Sequence, residues 1–286
     1  MIKMKKYLAI ALLFIFSFNT FAYADSNIVV TLAKDINSEQ KKEILNLFGV
    51  DEDNTNIIEV NNQEERKYLE GVAPEEQIGN ITMSSAYVEI LQDGSGIDVE
   101  THNITWVTKE MYESALVTAG VKDAKVVAAA PIPVSGTGAL TGITKAFEEV
   151  TGEKIDEEQK KVANEEIVKT GELGDEIGKD EASELIKEVK EEVVEKGAKT
   201  PEEIKEIIID VSAKLDISLS DEQIDQINKL MEKISKLNLN TDDIKGQLKD
   251  IGKKLDDTVK NNEEVKSLLQ RILDAIKDFF SSIFNK

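Results

Sequence analysis

The chain has 286 residues, of which 56 are acidic, 35 are basic, one is histidine and none is cysteine, and its formal net charge at pH 7 is −21. The absence of cysteine excludes disulfides, thiol nucleophiles, iron-sulfur clusters and cysteine-ligated zinc, and a single histidine excludes a multi-histidine metal site within one chain. The negative charge repels nucleic acid and anionic lipid headgroups at long range, and we expect neither a nucleic-acid partner nor a cofactor.

Residues 1–24 are predicted to be a cleaved secretory signal peptide. Lysines precede an apolar run from Tyr7 to Phe18, and Ala22 and Ala24 supply the small residues that a signal peptidase needs. The apolar run is too short to anchor the chain across a bilayer. We therefore expect an exported bacterial protein, secreted or extracytoplasmic and associated with the cell surface, since export without cysteines fits a bacterial envelope.

Residues 25–151 are predicted to form an α/β domain with a mixed sheet, in two or three layers. The patterns predict strands at 27–32, 56–60, 84–91, 97–107 and 124–130, and helices at 38–48, 64–69, 109–119 and 138–150. Pro131 and Pro133 are expected to end the fifth strand. Gly94 and Gly96 can take the positive φ angles of a hairpin connection, so the third and fourth strands are expected to pair directly.

Residues 152–286 are predicted to form an acidic, all-α region, which makes the fold class α+β overall. Helix starts are indicated at Asp156, Thr200, Ser220 and Thr241. Two stripes of apolar residues at helical spacing need burial: Ile204, Ile207, Ile208, Val211 and Leu215, and then Ile224, Ile227, Leu230, Met231 and Ile234. We expect a helical bundle, with an extended coiled-coil stalk as the rival arrangement.

The spacing of apolar residues in the last segment predicts an amphipathic helix with aromatic residues near its C-terminal end. Its apolar stripe includes Phe279, Phe280, Ile283 and Phe284. The segment lacks the basic face that draws helices to anionic membranes. Packing on the bundle is the favoured interpretation, and contact with a membrane or with an envelope protein partner is the alternative.

Several segments together resemble exported bacterial proteins of domain-of-unknown-function family 1002. They are Ser84 to Tyr87, Thr101 to Thr108, Ala115 to Val121, Ala128 to Pro131, Pro133 to Thr137 and Ala139 to Gly142. The resemblance extends over the mature chain, including its acidic helical half. It implies a secreted or surface-associated protein, and it carries over no reaction, ligand or catalytic residue.

Two groups of polar residues are the candidate ligand-binding residues. Ser135, Gly136 and Thr137 follow a predicted buried strand and open a helix, where backbone amides can hold an anion, although a capped turn explains them equally well. Thr101, Asn103 and Thr105 occupy alternate positions of a predicted strand and would project from one face. That polar row either binds a polar ligand or hydrogen-bonds to neighbouring loops, and the structural role is favoured.

The residues favour a non-catalytic binding or interaction module over an enzyme. The rival is an envelope enzyme that acts through carboxylates on a cell-wall or carbohydrate substrate. A deep pocket that joins the candidate residues to an acid of raised pKa would favour the enzyme. A flat face on which Ser135 merely caps a helix would favour the binding module.

Overall fold

A computed structural model of the protein describes residues 27–239, 244, 246–248 and 251. Its strands are β1 (Ile28–Ala33), β2 (Asn56–Val60), β3 (Ser85–Ile90), β4 (Ile97–Ile104) and β5 (Ala124–Val134). Its helices are α1 (Ser38–Phe48), α2 (Asn62–Leu69), α3 (Glu75–Ile78), α4 (Lys109–Ala119), α5 (Ala139–Thr151), α6 (Glu157–Ile177), α7 (Lys179–Lys196), α8 (Pro201–Lys214) and α9 (Asp221–Ile234). The signal peptide, the helix start at Thr241 and the C-terminal aromatic helix lie outside the described residues.

In the described part of the chain, the five strands form one mixed sheet in the order β2-β1-β3-β5-β4. β1 and β2 are parallel, β4 and β5 are parallel, and β3 runs antiparallel to both of its neighbours. The fold is therefore a mixed-sheet α/β half followed by a run of helices, which confirms the fold class predicted from the sequence.

The predicted hairpin between β3 and β4 is wrong, because β5 lies between these two strands. Ala128 of β5 pairs with Ala86 of β3 on one side and with Thr101 of β4 on the other. The connection between β3 and β4 instead crosses the start of β5, where the Gly96 amide donates to the Asp123 carboxylate at 2.9 Å. A fully apolar strand gains most when both of its edges are paired, and this favours β5 at the interior position.

β5 continues through Pro131 and Pro133 to Val134, although the sequence predicted that the prolines would end it. Proline cannot donate to a ladder, and it is tolerated where the pairing is irregular. The register between β4 and β5 shifts between His102 and Ile104, so this part of the ladder does not need the missing donors.

Helices cover both faces of the sheet. α1 packs on one face, where Ile44 and Leu45 contact the core around Val30 and Leu32. α4 and α5 cover the opposite face, and α6 packs outside them against α4. The sheet is therefore the middle of three layers, with one helix on one side and two on the other.

α6 to α9 pack around a second apolar core. Both predicted stripes face this core, with Leu215 and Ile224 at its partly buried margin. The predicted capping boxes at Asp156, Thr200 and Ser220 are present. Within the described residues the helices thus form a bundle and not a stalk. The domain boundary after residue 151 stays a prediction, since α6 packs on α4 as well as on α7 and α9.

Gly171 lets α6 approach the indole of Trp106, the only tryptophan of the chain. The indole Nε1 donates to Asp175 Oδ2 at 2.9 Å, and a Cβ at Gly171 would overlap the indole ring. We expect Gly171→Ala to lower the free energy of unfolding in urea by about 1–3 kcal/mol, as overpacking does. The double variant with Trp106→Phe lacks the overlapping ring atoms and should recover part of this loss. An equal loss in the presence and absence of the indole would contradict this explanation.

Candidate functional site

The carboxyl ends of β1, β2, β4 and β5 meet at one edge of the sheet, because these four strands run in the same direction. Ligands of open α/β sheets bind in the crevice outside this edge. Asp35 follows β1, Glu65 lies on α2 after β2, and the segment from Ser135 to Gly138 joins β5 to α5. This carboxyl edge is therefore the expected position of a functional site.

The structure brings Asn103 and Thr105 to this edge, while Thr101 lies half-buried within β4. Asn103 takes a φ of 57°, which breaks the alternation expected of a single polar row. Its side-chain amide donates to the carbonyl of Ala130 at 2.9 Å. The Thr105 hydroxyl donates to the carbonyl of Val134 at 2.9 Å. Both side chains therefore close the irregular end of the sheet.

The turn from Ser135 to Thr137 lies beside Thr105 and is held by hydrogen bonds of the fold. The carbonyl of Ser135 accepts the amide of Val107 at 3.0 Å, and the carbonyl of Gly136 accepts the buried hydroxyl of Tyr112 at 2.5 Å. The hydroxyls of Ser135 and Thr137 lie 3.3 Å apart. The geometry matches the strand-to-helix turn that the sequence offered as the alternative to an anion site.

Gly136 is required by this turn, because its φ is 95° and a Cβ would overlap Ile104 Cγ2 and would lie 2.6 Å from the Tyr112 hydroxyl. We expect Gly136→Ala to lower the free energy of unfolding by about 2 kcal/mol, from backbone strain and overlap together. Gly152 is a matched control, since its φ is 72° and nothing lies within 4 Å of an added Cβ. Gly152→Ala should report the strain alone. Equal losses in urea denaturation would mean that the overlaps with Ile104 and Tyr112 have no effect.

The acid at this edge is Glu65, which sequence reasoning missed. The residue is 3% exposed, and a Cβ on Gly138 would lie 2.5 Å from its carboxyl oxygen. Burial raises the pKa of Glu65 to about 7, which nearby Thr82 and Asn62 partly oppose and Asp35 increases. The Thr82 hydroxyl lies close enough to lower this pKa, although it makes no well-formed hydrogen bond.

A signal for Glu65 existed in the sequence. Tyr68 and Leu69 follow it at helical spacing, so the three residues share one face of α2, and all three are buried. A glutamate on the apolar face of a short helix is an unusual residue, since an ionised carboxylate is seldom fully buried without a partner. Gly138 complements it, because only a residue without a side chain leaves room for this carboxyl group.

A cleft of about 300 Å³ runs along α5, between α2, α5 and the start of α6, and reaches Glu149 beside the amino end of β2. Tyr68 and Thr141 form part of its wall. Its charged lining consists of Lys67, Lys145, Lys154, Lys160, Glu64, Glu148 and Glu149. In a chain with a formal net charge of −21, this lining stands out for its nearly balanced charges. Pockets of this volume accept small ligands.

Ion pairs fix two walls of the cleft. Lys145 Nζ lies 2.6 Å from Glu64 Oε1, which ties α5 to α2. Lys160 Nζ lies 2.9 Å from Glu148 and 3.1 Å from Glu157, which ties α6 to α5 and to its own first turn. Burial alone would lower the pKa of Lys160, but the two carboxylates outweigh burial and raise it. These charges are therefore part of the framework of the cleft.

Known proteins match this chain over most of its length. The family described as "Protein of unknown function (DUF1002)" matches residues 32–251. "Uncharacterized protein YpuA" of Bacillus subtilis (strain 168) is 39% identical over 263 residues, which cover 92% of this chain and 89% of the relative. No solved structure matches the chain.

None of the helices among the described residues is both long enough and apolar enough to cross a membrane. In the same residues no group of three or more histidine or carboxylate side chains is placed to hold a metal ion.

Proposed function

The chain belongs to the DUF1002 family, and from this premise we propose that it is an exported bacterial envelope protein that acts as a non-catalytic binding module. The observation that carries the binding function is the cleft between α2, α5 and the start of α6. Two groups of its lining, the Lys154 ammonium and the Thr141 hydroxyl, have no hydrogen-bond or ion-pair partner among the described residues. The exposed Lys154 ammonium is available to a ligand, whereas the Thr141 hydroxyl oxygen is buried beneath the wall of the cleft.

The fold itself uses polar groups at the carboxyl edge. Tyr112 donates to the Gly136 carbonyl, and Asn103 and Thr105 donate to carbonyls of β5. In this proposal these residues hold the edge in shape beside the cleft. Direct contact of a ligand with Thr101, Asn103, Thr105, Ser135, Gly136 or Thr137 is the alternative site of the same function.

Export is supported by the basic and apolar leader that ends at Ala24. Cell fractionation with N-terminal sequencing tests it: the protein should begin at Asp25 and occur in the envelope or medium. A native chain that keeps Met1 or fractionates with cytosolic markers would contradict export.

A partner or membrane contact through Phe279, Phe280, Ile283 and Phe284 stays a prediction, and deleting residues 268–286 should release the protein from the cell surface if that contact exists.

The binding function is tested by retention of envelope material on the mature chain. Immobilised protein would be incubated with a small-molecule fraction of hydrolysed envelope, and mass spectrometry would identify what elutes. We expect compounds that the wild-type protein retains and the Lys154→Gln variant does not. Lys199→Gln, a change at an exposed lysine outside the cleft, is the matched control. Equal retention by all three proteins would contradict binding in the cleft.

One observation favours the enzyme as a second candidate function. Glu65, with its pKa raised to about 7, lies against Gly138 beside the predicted residues, and such a carboxyl group is suited to general acid catalysis near neutral pH. The experiment is to incubate the protein with envelope polysaccharide and to measure new reducing ends. Product formation that Glu65→Gln abolishes would support the enzyme. An equal rate in both proteins would exclude this acid.

A further inference from the structure

We propose that the cleft between α2 and α5 binds a small zwitterion, such as a free amino acid or a short peptide with both termini charged. This inference rests on the binding function proposed above and names its class of ligand. It follows from which charges of the cleft are paired with each other and which are left for a ligand.

Most charges of the cleft neutralise each other. Lys145 is paired with Glu64 at 2.6 Å, and Lys160 is paired with Glu148 at 2.9 Å. Lys67 is paired with Glu157, just outside the lining. A ligand would have to break these contacts to use the groups, which is costly for the buried Lys160. These paired charges form the walls of the cleft, and a ligand has to be bound by other residues.

One cation and one anion of the lining are not paired with another charge of the cleft. Lys154 is exposed and forms no hydrogen bond or ion pair within the described part of the chain. Glu149 is also exposed, forms no ion pair there, and accepts only a long hydrogen bond of 3.4 Å from the Asn56 amide. The two groups belong to the end of α5 and the turn that follows it. They offer a ligand one positive and one negative contact.

Thr141 lies in the wall of the cleft, about 12 Å along α5 from Glu149, and offers the same small ligand no contact. The residue is 4% exposed, and its hydroxyl has no hydrogen-bond partner among the described residues. The contacts left for a ligand are therefore two, a carboxylate on Lys154 and an ammonium on Glu149.

The charges of the cleft favour a zwitterion over an anion, a cation or a neutral sugar. An anion would meet Glu149 and the field of a chain with a net charge of −21, and a cation would meet Lys154 and the other lysines. A neutral sugar would desolvate both free charges without replacing their water contacts. A zwitterion pairs with both charges at once, and a cleft of about 300 Å³ is at the small end of ligand sites.

The test is calorimetric titration of the mature chain with the free amino acids and with diglycine, at low salt and pH 7. We expect saturable binding of at least one of these probes with a Kd of about 1 mM or tighter. For the probe that binds, the analogue with a blocked amino group and the analogue with a blocked carboxyl group should each bind about tenfold more weakly or worse. Absence of saturable binding for every probe up to about 10 mM would overturn the proposal.

Variants assign the contacts. Lys154→Gln should weaken binding about tenfold, and this variant should bind the free probe and the probe with a blocked carboxyl group equally well. Glu149→Gln should also weaken binding about tenfold, and it should bind the free probe and the probe with a blocked amino group equally well. Lys199→Gln should bind as the wild-type protein does. Equal affinity in the wild-type protein and both cleft variants would overturn the proposal. If no zwitterion binds but retention of envelope compounds still depends on the cleft, the proposed ligand class is wrong and the binding function stands. If neither the titration nor the retention assay shows binding in the cleft, the binding function is wrong as well.

Discussion

Lys190→Met is expected to lower the free energy of unfolding by about 3–5 kcal/mol, the cost of breaking a buried ion pair by removing one partner. Lys190 Nζ lies 2.8 Å from Glu166 Oε1, and both side chains are 1% exposed. The ammonium also donates to the Ser114 carbonyl at 2.7 Å and to the Thr118 hydroxyl at 3.0 Å. Burial lowers the pKa of Lys190, and Glu166 opposes this. Urea denaturation followed by circular dichroism at pH 7 measures the effect.

Two variants control this experiment. The double variant with Glu166→Leu leaves no unpaired charge, and it should be more stable than Lys190→Met alone. Lys199→Met, at an exposed position, should change stability by less than about 0.5 kcal/mol. If Lys190→Met behaves like Lys199→Met, the ion pair does not contribute to stability.

The same network bears on the predicted domain boundary, because it joins α4 of the first half to α6 and α7 of the second. If the halves are coupled through it, far-ultraviolet dichroism and Trp106 fluorescence should report one common transition in the wild-type protein. Two separate transitions would favour independent domains on either side of residue 151.

Glu65→Gln is expected to be more stable than the wild-type protein above pH 8, by up to about 3 kcal/mol. In the folded state the pKa of Glu65 is about 7, against an ordinary value of 4.5. The stabilising contribution of the neutral carboxyl group is therefore complete below pH 4.5 and is lost as the pH rises through 7. Glutamine cannot ionise, so the variant does not undergo this loss.

The measurement is the difference in unfolding free energy between the two proteins at pH 5 and at pH 8. The difference should shift in favour of the variant at the higher pH. Glu206→Gln, at an exposed position of α8, is the control for the loss of a surface carboxylate. A difference for Glu65→Gln that is independent of pH would show that this carboxyl group is not held neutral by burial.

The helices could be predicted from the sequence because their determinants are local. Ser220 and Gln223 form the capping box that their spacing indicates, and the stripe from Ile204 to Val211 is buried as its period requires. Strand partners are set by contacts far apart in sequence. Gly94 and Gly96 permit a hairpin, but nothing local says that the small residues of β5 will fill the space between β3 and β4.

The site was less predictable than the fold. The residues from Ser135 to Thr137 were located correctly at a strand-to-helix turn, but their local pattern does not reveal that Tyr112 and Val107 already hydrogen-bond to this turn. The cleft was missed because its lining comes from α2, α5 and α6, which are separated by up to about 90 residues. Pairing between such distant charges is a property of packing, and no periodicity in the sequence encodes it.

The most direct test of ligand binding in the cleft is a nuclear magnetic resonance titration of the mature chain with the tightest zwitterionic probe. We expect progressive shifts of the backbone amides of Thr144, Lys145 and Lys154, which line the cleft. Shifts confined to the turn from Ser135 to Gly138, or no shifts at all, would contradict binding in the cleft.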